Sequence, residues 1–206
     1  MGRPLRIEFA GAIQHVTARG NAHEPIYRDR WDRKLFLDIC ADVIASCRWR
    51  CHAYCLMGNH YHLILETPEP NVAAGVHRLH CVYARWFNRR HGRLGRVFED
   101  RYKTILIEKE SHLLEVARYV VLNPVRAGIS GTPEEWPWSS YHATAGVREP
   151  PEFLTVDWIL GQFANERSAA QERYRAFVDA APNRKPWERI RRRVYLGSDE
   201  FVRAHA

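Results

Sequence analysis

Hydrophobic patterning divides the first 125 or so residues into seven elements. AIQHVTARG (Ala12–Gly20) reads as a first strand, and a turn-rich NAHEP loop follows it. From Trp31 to Cys47 the apolar positions Leu35, Ile39, Val43 and Ile44 recur at helical spacing. RWRCHAYCLM and HYHLILE (from His60) read as paired strands, with Gly58-Asn59 as the tight turn between them. TPEPN (Thr67–Asn71) breaks the pattern and opens a long helix from Val72 to about His91. A loop then leads to a strand with Ile105 and Ile107 on one face and Leu106 on the other. A helix from about Ser111 to Leu122 follows, which Pro124 must end. The order β-α-β-β-α-β-α around a central hairpin predicts an α+β fold, with helices packed on an antiparallel sheet. Around VREPPEF (Val147–Phe153) the composition changes, and short helical patterns follow in VDWILGQF, AAQERYRAFVDAA and GSDEFVRAH. This predicts a main domain over 1–148 and a small helical appendage over 149–206, packed on the domain or tethered to it.

Chemistry enters at LMGNHYHLILET (Leu56–Thr67). Strand periodicity puts His60, His62 and Ile64 on one face and Tyr61, Leu63 and Leu65 on the other. Two neutral imidazoles side by side are good ligands for a divalent ion, given a third oxygen or nitrogen donor. The alternative is a pair of solvated histidines on an open sheet face. The segment lacks the aspartate of an H-x-H-x-D-H pattern, which disfavours a metallo-hydrolase of that kind. In SHLLEVARYVVLNP (Ser111–Pro124), Leu113, Leu114, Ala117, Val120 and Val121 form an apolar stripe. His112, Glu115, Tyr119 and Asn123 fall on the opposite side. Tyr119 reads either as a ring closing a helix end or, beside a metal, as a nucleophile towards phosphate.

Charge changes the picture. The 206 residues carry 31 Lys and Arg against 24 Asp and Glu, a net +7, and most of the cations are arginine. They concentrate in RWFNRRHGRLGRVFEDRYK as Arg85, Arg89, Arg90, Arg93, Arg96, Arg101 and Lys103, interleaved with Trp86, Phe87, Phe98 and Tyr102. Arginines take phosphates and aromatic rings stack on unpaired bases, so the cluster points to nucleic acid. Its bland reading is a solvated helix end with core aromatics. Arg85, Arg89 and Arg93 share a helix face by their spacing of four. No apolar run is long enough to span a membrane. The five cysteines include no C-x-x-C pair, and Cys51 and Cys55 read as small core residues of a strand in a reducing cytoplasm.

MGNHYHLILE, then ARYVVLNPVRAG, then WPWSSY (Trp136–Tyr141) occur in an order that resembles the single-tyrosine HUH transposases, most of all the REP-associated tyrosine transposases. The resemblance runs from about Ile13 to Tyr141. It implies a ferredoxin-like α+β domain whose sheet displays His60 and His62 as ligands of Mg²⁺ or Mn²⁺. It implies Tyr119 as the nucleophile and Asn123, four residues on, as the third ligand, where relatives often carry glutamine. The implied activity is cleavage and rejoining of single-stranded, hairpin-bearing DNA, such as REP-like palindromes, through a 5′-phosphotyrosine. The protein would then be a monomer or homodimer, cytoplasmic and nucleoid-associated. A non-catalytic nucleic-acid-binding domain and a metal-dependent nuclease using water are the alternatives.

Overall fold

The computed structural model describes residues 7–180 and 186–205, so Pro182–Lys185 of the basic run near the end lie outside it. Strands β1 (Ala12–Arg19), β2 (Arg50–Leu56), β3 (His60–Thr67) and β4 (Lys103–Ile107) form a sheet in the order β2-β3-β1-β4, extended by the two-residue β5 (Tyr195–Leu196). The first four pair antiparallel, and β5 lies parallel to β4. The expected βαββαβ layout with its central hairpin is therefore present. Helices α1 (Arg30–Cys47) and α2 (Val72–His91) pack against one face, and α3 (Lys109–Val121) lies across the other.

Local chemistry accounts for the boundaries. The Asp29 carboxylate caps α1 by accepting from the backbone N–H groups of Trp31 and Asp32. Helix α2 stops at Gly92, whose φ of 59° places it in the left-handed region that glycine adopts without strain. A bulge between Cys51 and Ala53 gives His52 no partner in the β2–β3 register. After α3, Leu122 bends the chain and Pro124 sits in the first turn of a one-turn helix α4 (Asn123–Arg126), the position proline tolerates.

The core is built mainly on the Tyr61 face. There Tyr61, Leu63 and Leu65 meet Phe36 and Ile39 of α1 and Leu79, Tyr83 and Phe87 of α2. Cys51 and Cys55 are fully buried small residues, and all five cysteines are free thiols. The WPWSSY segment runs along the open edge of β2. Trp138 accepts from Leu56 N–H, Ser140 N–H donates to the Tyr54 carbonyl, and the Trp136 indole donates to the Leu56 carbonyl at 3.1 Å. An edge strand that would otherwise offer unpaired backbone groups is covered in this way. The C-terminal helices α6 (Asp157–Gly161) and α7 (Arg167–Asp179) follow the one-turn α5 (Tyr141–Thr144). Their residues Ile159, Leu160, Ala170, Tyr174 and Val178 share the main core, so the appendage is packed on the domain. The last helix, α8 (Asp199–His205), joins a smaller cluster around Ala12 and Leu106.

Candidate active site

Strand periodicity places His60 and His62 on the α3 side of β3, as expected, but that face is not open. His62 is 8% exposed, covered by neighbouring strands and by what packs over them. The reason is a third histidine. His15 of β1 occupies the same face, and its Nε2 lies 2.8 Å from His62 Nδ1 with the two rings within 14° of parallel. His60 is held similarly: its Nδ1 meets Asn59 Oδ1 at 2.8 Å. Both Nδ1 atoms are thus engaged, and the ring centroids of His60 and His62 stand 5.0 Å apart, nearly perpendicular. His62 Nε2 is buried and has no hydrogen-bond partner among the described residues. A buried, unpartnered imidazole nitrogen beside a second histidine suits a cation well.

Electrostatics keep these rings neutral. Burial pushes the His62 pKa well below its ordinary value, with the neighbouring His15 and His60 adding to the effect. Burial also lowers His60, helped by the positive charge of Arg19. His15, with no route to water, falls to about 3. Neutral imidazole is the form that offers a lone pair, so a depressed pKa favours metal binding over protonation.

A cleft of about 220 Å³ opens beside His60, lined also by Thr17, Arg19, Glu99, Arg101 and Lys103. Arg19 donates from Nε and Nη2 to Glu99 Oε1 and is occupied there. Arg101 and Lys103 are exposed and bring two cations to the cleft mouth. The remaining expected phosphate contacts lie elsewhere. Arg85 and Arg89 are exposed on α2, behind the sheet from the histidines. Arg90 is committed to Asp29 and to the buried Asp32, which ties α2 to the start of α1. Arg93 lies over the Phe87 ring, and Arg96 is exposed in the following loop. One continuous basic stripe in the sequence therefore becomes two separate surfaces.

Tyr119 is half-buried on the polar side of α3, with the Arg126 guanidinium 5.2 Å from its ring centre. Its edge meets the indole of Trp187, centroids 5.0 Å apart, and the same indole stacks on His15 at 4.7 Å. Trp187 belongs to a single turn, Pro186–Arg189, so the C-terminal segment packs over this face and puts an indole between Tyr119 and His15. Asn123 is buried, and its Nδ2 donates to the carbonyls of Tyr119 (2.9 Å) and Val120. That geometry leaves Oδ1 as the atom a cation could take. Sequence reasoning missed His15, Arg126 and Trp187. Strand alternation could place His15 on a face, but only the β1–β3 register, with Thr17 opposite His62, makes it a neighbour.

The model of the IS200-like transposases matches residues 10–123, more than half of the 206-residue chain. The chain belongs to that family. A protein of Haemophilus influenzae named as a REP-associated tyrosine transposase is 27% identical over 117 residues, 52% of this chain. The chain spans 64% of the length of that curated relative. Among solved structures, a REP-associated tyrosine transposase bound to a REP hairpin superimposes with a TM-score of 0.60 at 17% identity, covering 77% of this chain and 91% of the other. The match supports the α+β fold. No described helix is long and apolar enough to cross a membrane.

Proposed function

We propose that this IS200-like protein cuts and rejoins single-stranded DNA beside a hairpin through a covalent Tyr119 intermediate. His60 Nε2, His62 Nε2 and Asn123 Oδ1 would hold a Mg²⁺ or Mn²⁺ ion, which when bound polarises the scissile phosphate and offsets charge on its oxygens. The observation that carries the reading is the matched pair of histidines. Each Nδ1 is engaged, and among the described residues His62 Nε2 is buried without a partner on the face that α3 and Tyr119 also occupy.

The chain's own residues supply the rest. Arg101 and Lys103 would seat the DNA backbone in the cleft. Tyr119 Oη attacks the phosphorus and its proton passes to solvent, while the bond from phosphorus to the 3′ oxygen breaks and that oxygen takes a proton from solvent. The products are a 5′-phosphotyrosine and a free 3′-OH. The phosphodiester is exchanged for another phosphoester, so a 3′-OH can reverse the step and join strands without ATP. Arg126, lying over the tyrosine ring, would bring a positive charge towards the phosphate that the tyrosine attacks.

The test is a denaturing gel of a 3′-labelled hairpin oligonucleotide after incubation with the protein. A protein-linked band is expected with Mn²⁺ or Mg²⁺, and it should vanish with EDTA or in Tyr119→Phe. Cleavage without a linked band, retained by Tyr119→Phe, would identify a nuclease using water. Hairpin binding with no cleavage in either metal would identify a binding domain.

A further inference from the structure

We propose that His15 is a positioning residue for His62, fixing both its orientation and its tautomer so that Nε2 presents a lone pair to the cation. The proposal rests on reading the histidine pair as a metal site and adds a residue to it.

The argument begins with a cost. His15 is 3% exposed, and its Nδ1 is buried without a hydrogen-bond partner among the described residues. An unpaired buried N–H or lone pair is unfavourable, and an aliphatic side chain of similar bulk would avoid the cost altogether. Stability alone therefore gives no reason for an imidazole at this point of β1. What the imidazole does supply is one 2.8 Å contact from its Nε2 to His62 Nδ1, between rings that are nearly parallel.

Two neutral imidazoles sharing one hydrogen bond have two arrangements. If His62 Nδ1–H donates to His15 Nε2, His62 Nε2 is left with a lone pair. If His15 donates instead, His62 Nε2 carries the hydrogen and cannot ligate. A ligating histidine is ordinarily held by a partner that accepts from its other nitrogen. His60 has such a partner in Asn59, whose Oδ1 faces its Nδ1. His15 fills the corresponding place for His62, and its ring is itself wedged by the Trp187 indole on its face. It has little freedom to turn away.

Two variants separate this role from packing. His15→Leu keeps bulk and removes the acceptor; His15→Gln puts an amide oxygen near the place of Nε2. Long-range ¹⁵N NMR of the metal-free protein should find His62 as the Nδ1–H tautomer in wild type and in His15→Gln, and a mixture or the Nε2–H form in His15→Leu. Calorimetric Mn²⁺ titration should show a 10- to 100-fold weaker site in His15→Leu, with His15→Gln within about threefold of wild type. Thermal melts check that each variant is folded. An Nε2–H tautomer for His62 in wild type, or equal Mn²⁺ affinity in folded His15→Leu, overturns the proposal. Absence of Mn²⁺ uptake by wild type would instead overturn the metal reading, while the tautomer measurement still judges His15. Should His15→Leu fail to fold, a His15→Gln variant that folds yet loses the tautomer overturns it as well.

Discussion

At the scale of single residues, the histidines show how far environment moves a side chain from its sequence average. His15 is pulled from 6.5 to about 3, and His80, which meets the Tyr61 hydroxyl at 2.7 Å on the opposite face, falls to about 4. Burial is the first cause in both. In the unfolded chain these rings take up a proton below the ordinary value of 6.5, whereas the folded protein refuses it. Stability is therefore full above about pH 6.5 and is lost as the pH falls towards the folded values. Each ring contributes at most about 1.4 kcal/mol per pH unit across that window. Urea midpoints taken in steps from about pH 7 to about pH 4.5 should fall steadily, and a flat profile would contradict the neutral, buried rings. Asp32 makes a second residue-scale case. Wholly buried, it accepts from the Arg28 N–H at 2.7 Å and pairs with Arg90 and His91. Asp32→Ala is expected to cost roughly 3 kcal/mol, by orphaning those groups and loosening α1 from α2; urea denaturation reads it directly.

At the scale of elements, the basic residues divide along the two faces of the sheet. The cations at the histidine cleft come from the loop before β4 and from its first residue, Arg101 and Lys103, while Arg85 and Arg89 ride on α2 behind the sheet. Replacing Arg101 and Lys103 with glutamine should lower the salt slope of single-strand binding by about 1.4, roughly 0.7 for each lost phosphate contact. The same change at Arg85 and Arg89 should leave the covalent step at saturating DNA unaltered. Equal slopes for the Arg101/Lys103 variant and wild type would place the DNA path elsewhere. The C-terminal turn carries a prediction of its own. The Trp187 indole covers one side of Tyr119 and also stacks on His15, so a phosphate approaching the tyrosine over that side would have to displace it. Trp187→Ala should therefore speed formation of the protein–DNA link severalfold in a single-turnover assay. An unchanged or slower rate would mean that the indole does not stand in the way.

At the scale of the whole molecule, the sharp compositional change near residue 150 does not divide the core. Leu154, Val156, Ile159, Leu160, Tyr174 and Val178 belong to the cluster that holds β1 to β3 together. A backbone hydrogen bond from Thr155 to the Cys51 carbonyl, 2.8 Å long, ties the later segment to β2. Chemical denaturation followed by tryptophan fluorescence and by far-ultraviolet circular dichroism should give one coincident transition. A chain cut after residue 148 exposes apolar surface of that cluster and is expected to be insoluble. Two resolved transitions, or a soluble and cooperative 1–148 fragment, would show that the segment is a separate unit after all.

The order of elements, the hairpin at Gly58-Asn59, the length of α2 and the shared face of His60 and His62 were all legible in the chain itself. Each depends on local rules: a period of 2 or 3.6, a turn residue, a proline that cannot continue a helix. Tyr119 was likewise separable from its apolar stripe by helical geometry alone. The partners of those residues were not legible, because pairing follows from register and packing between segments far apart in sequence. His15 meets His62 only through the β1–β3 register, forty-seven residues away along the chain. Trp187 reaches Tyr119 only because the C-terminal segment returns across α3. The basic run from Arg85 to Lys103 looked continuous since a sequence has no inside or outside. Folding sent its helical half behind the sheet and its last two cations to the histidine cleft, because α2 had to bury Tyr83 and Phe87 while β4 had to pair with β1.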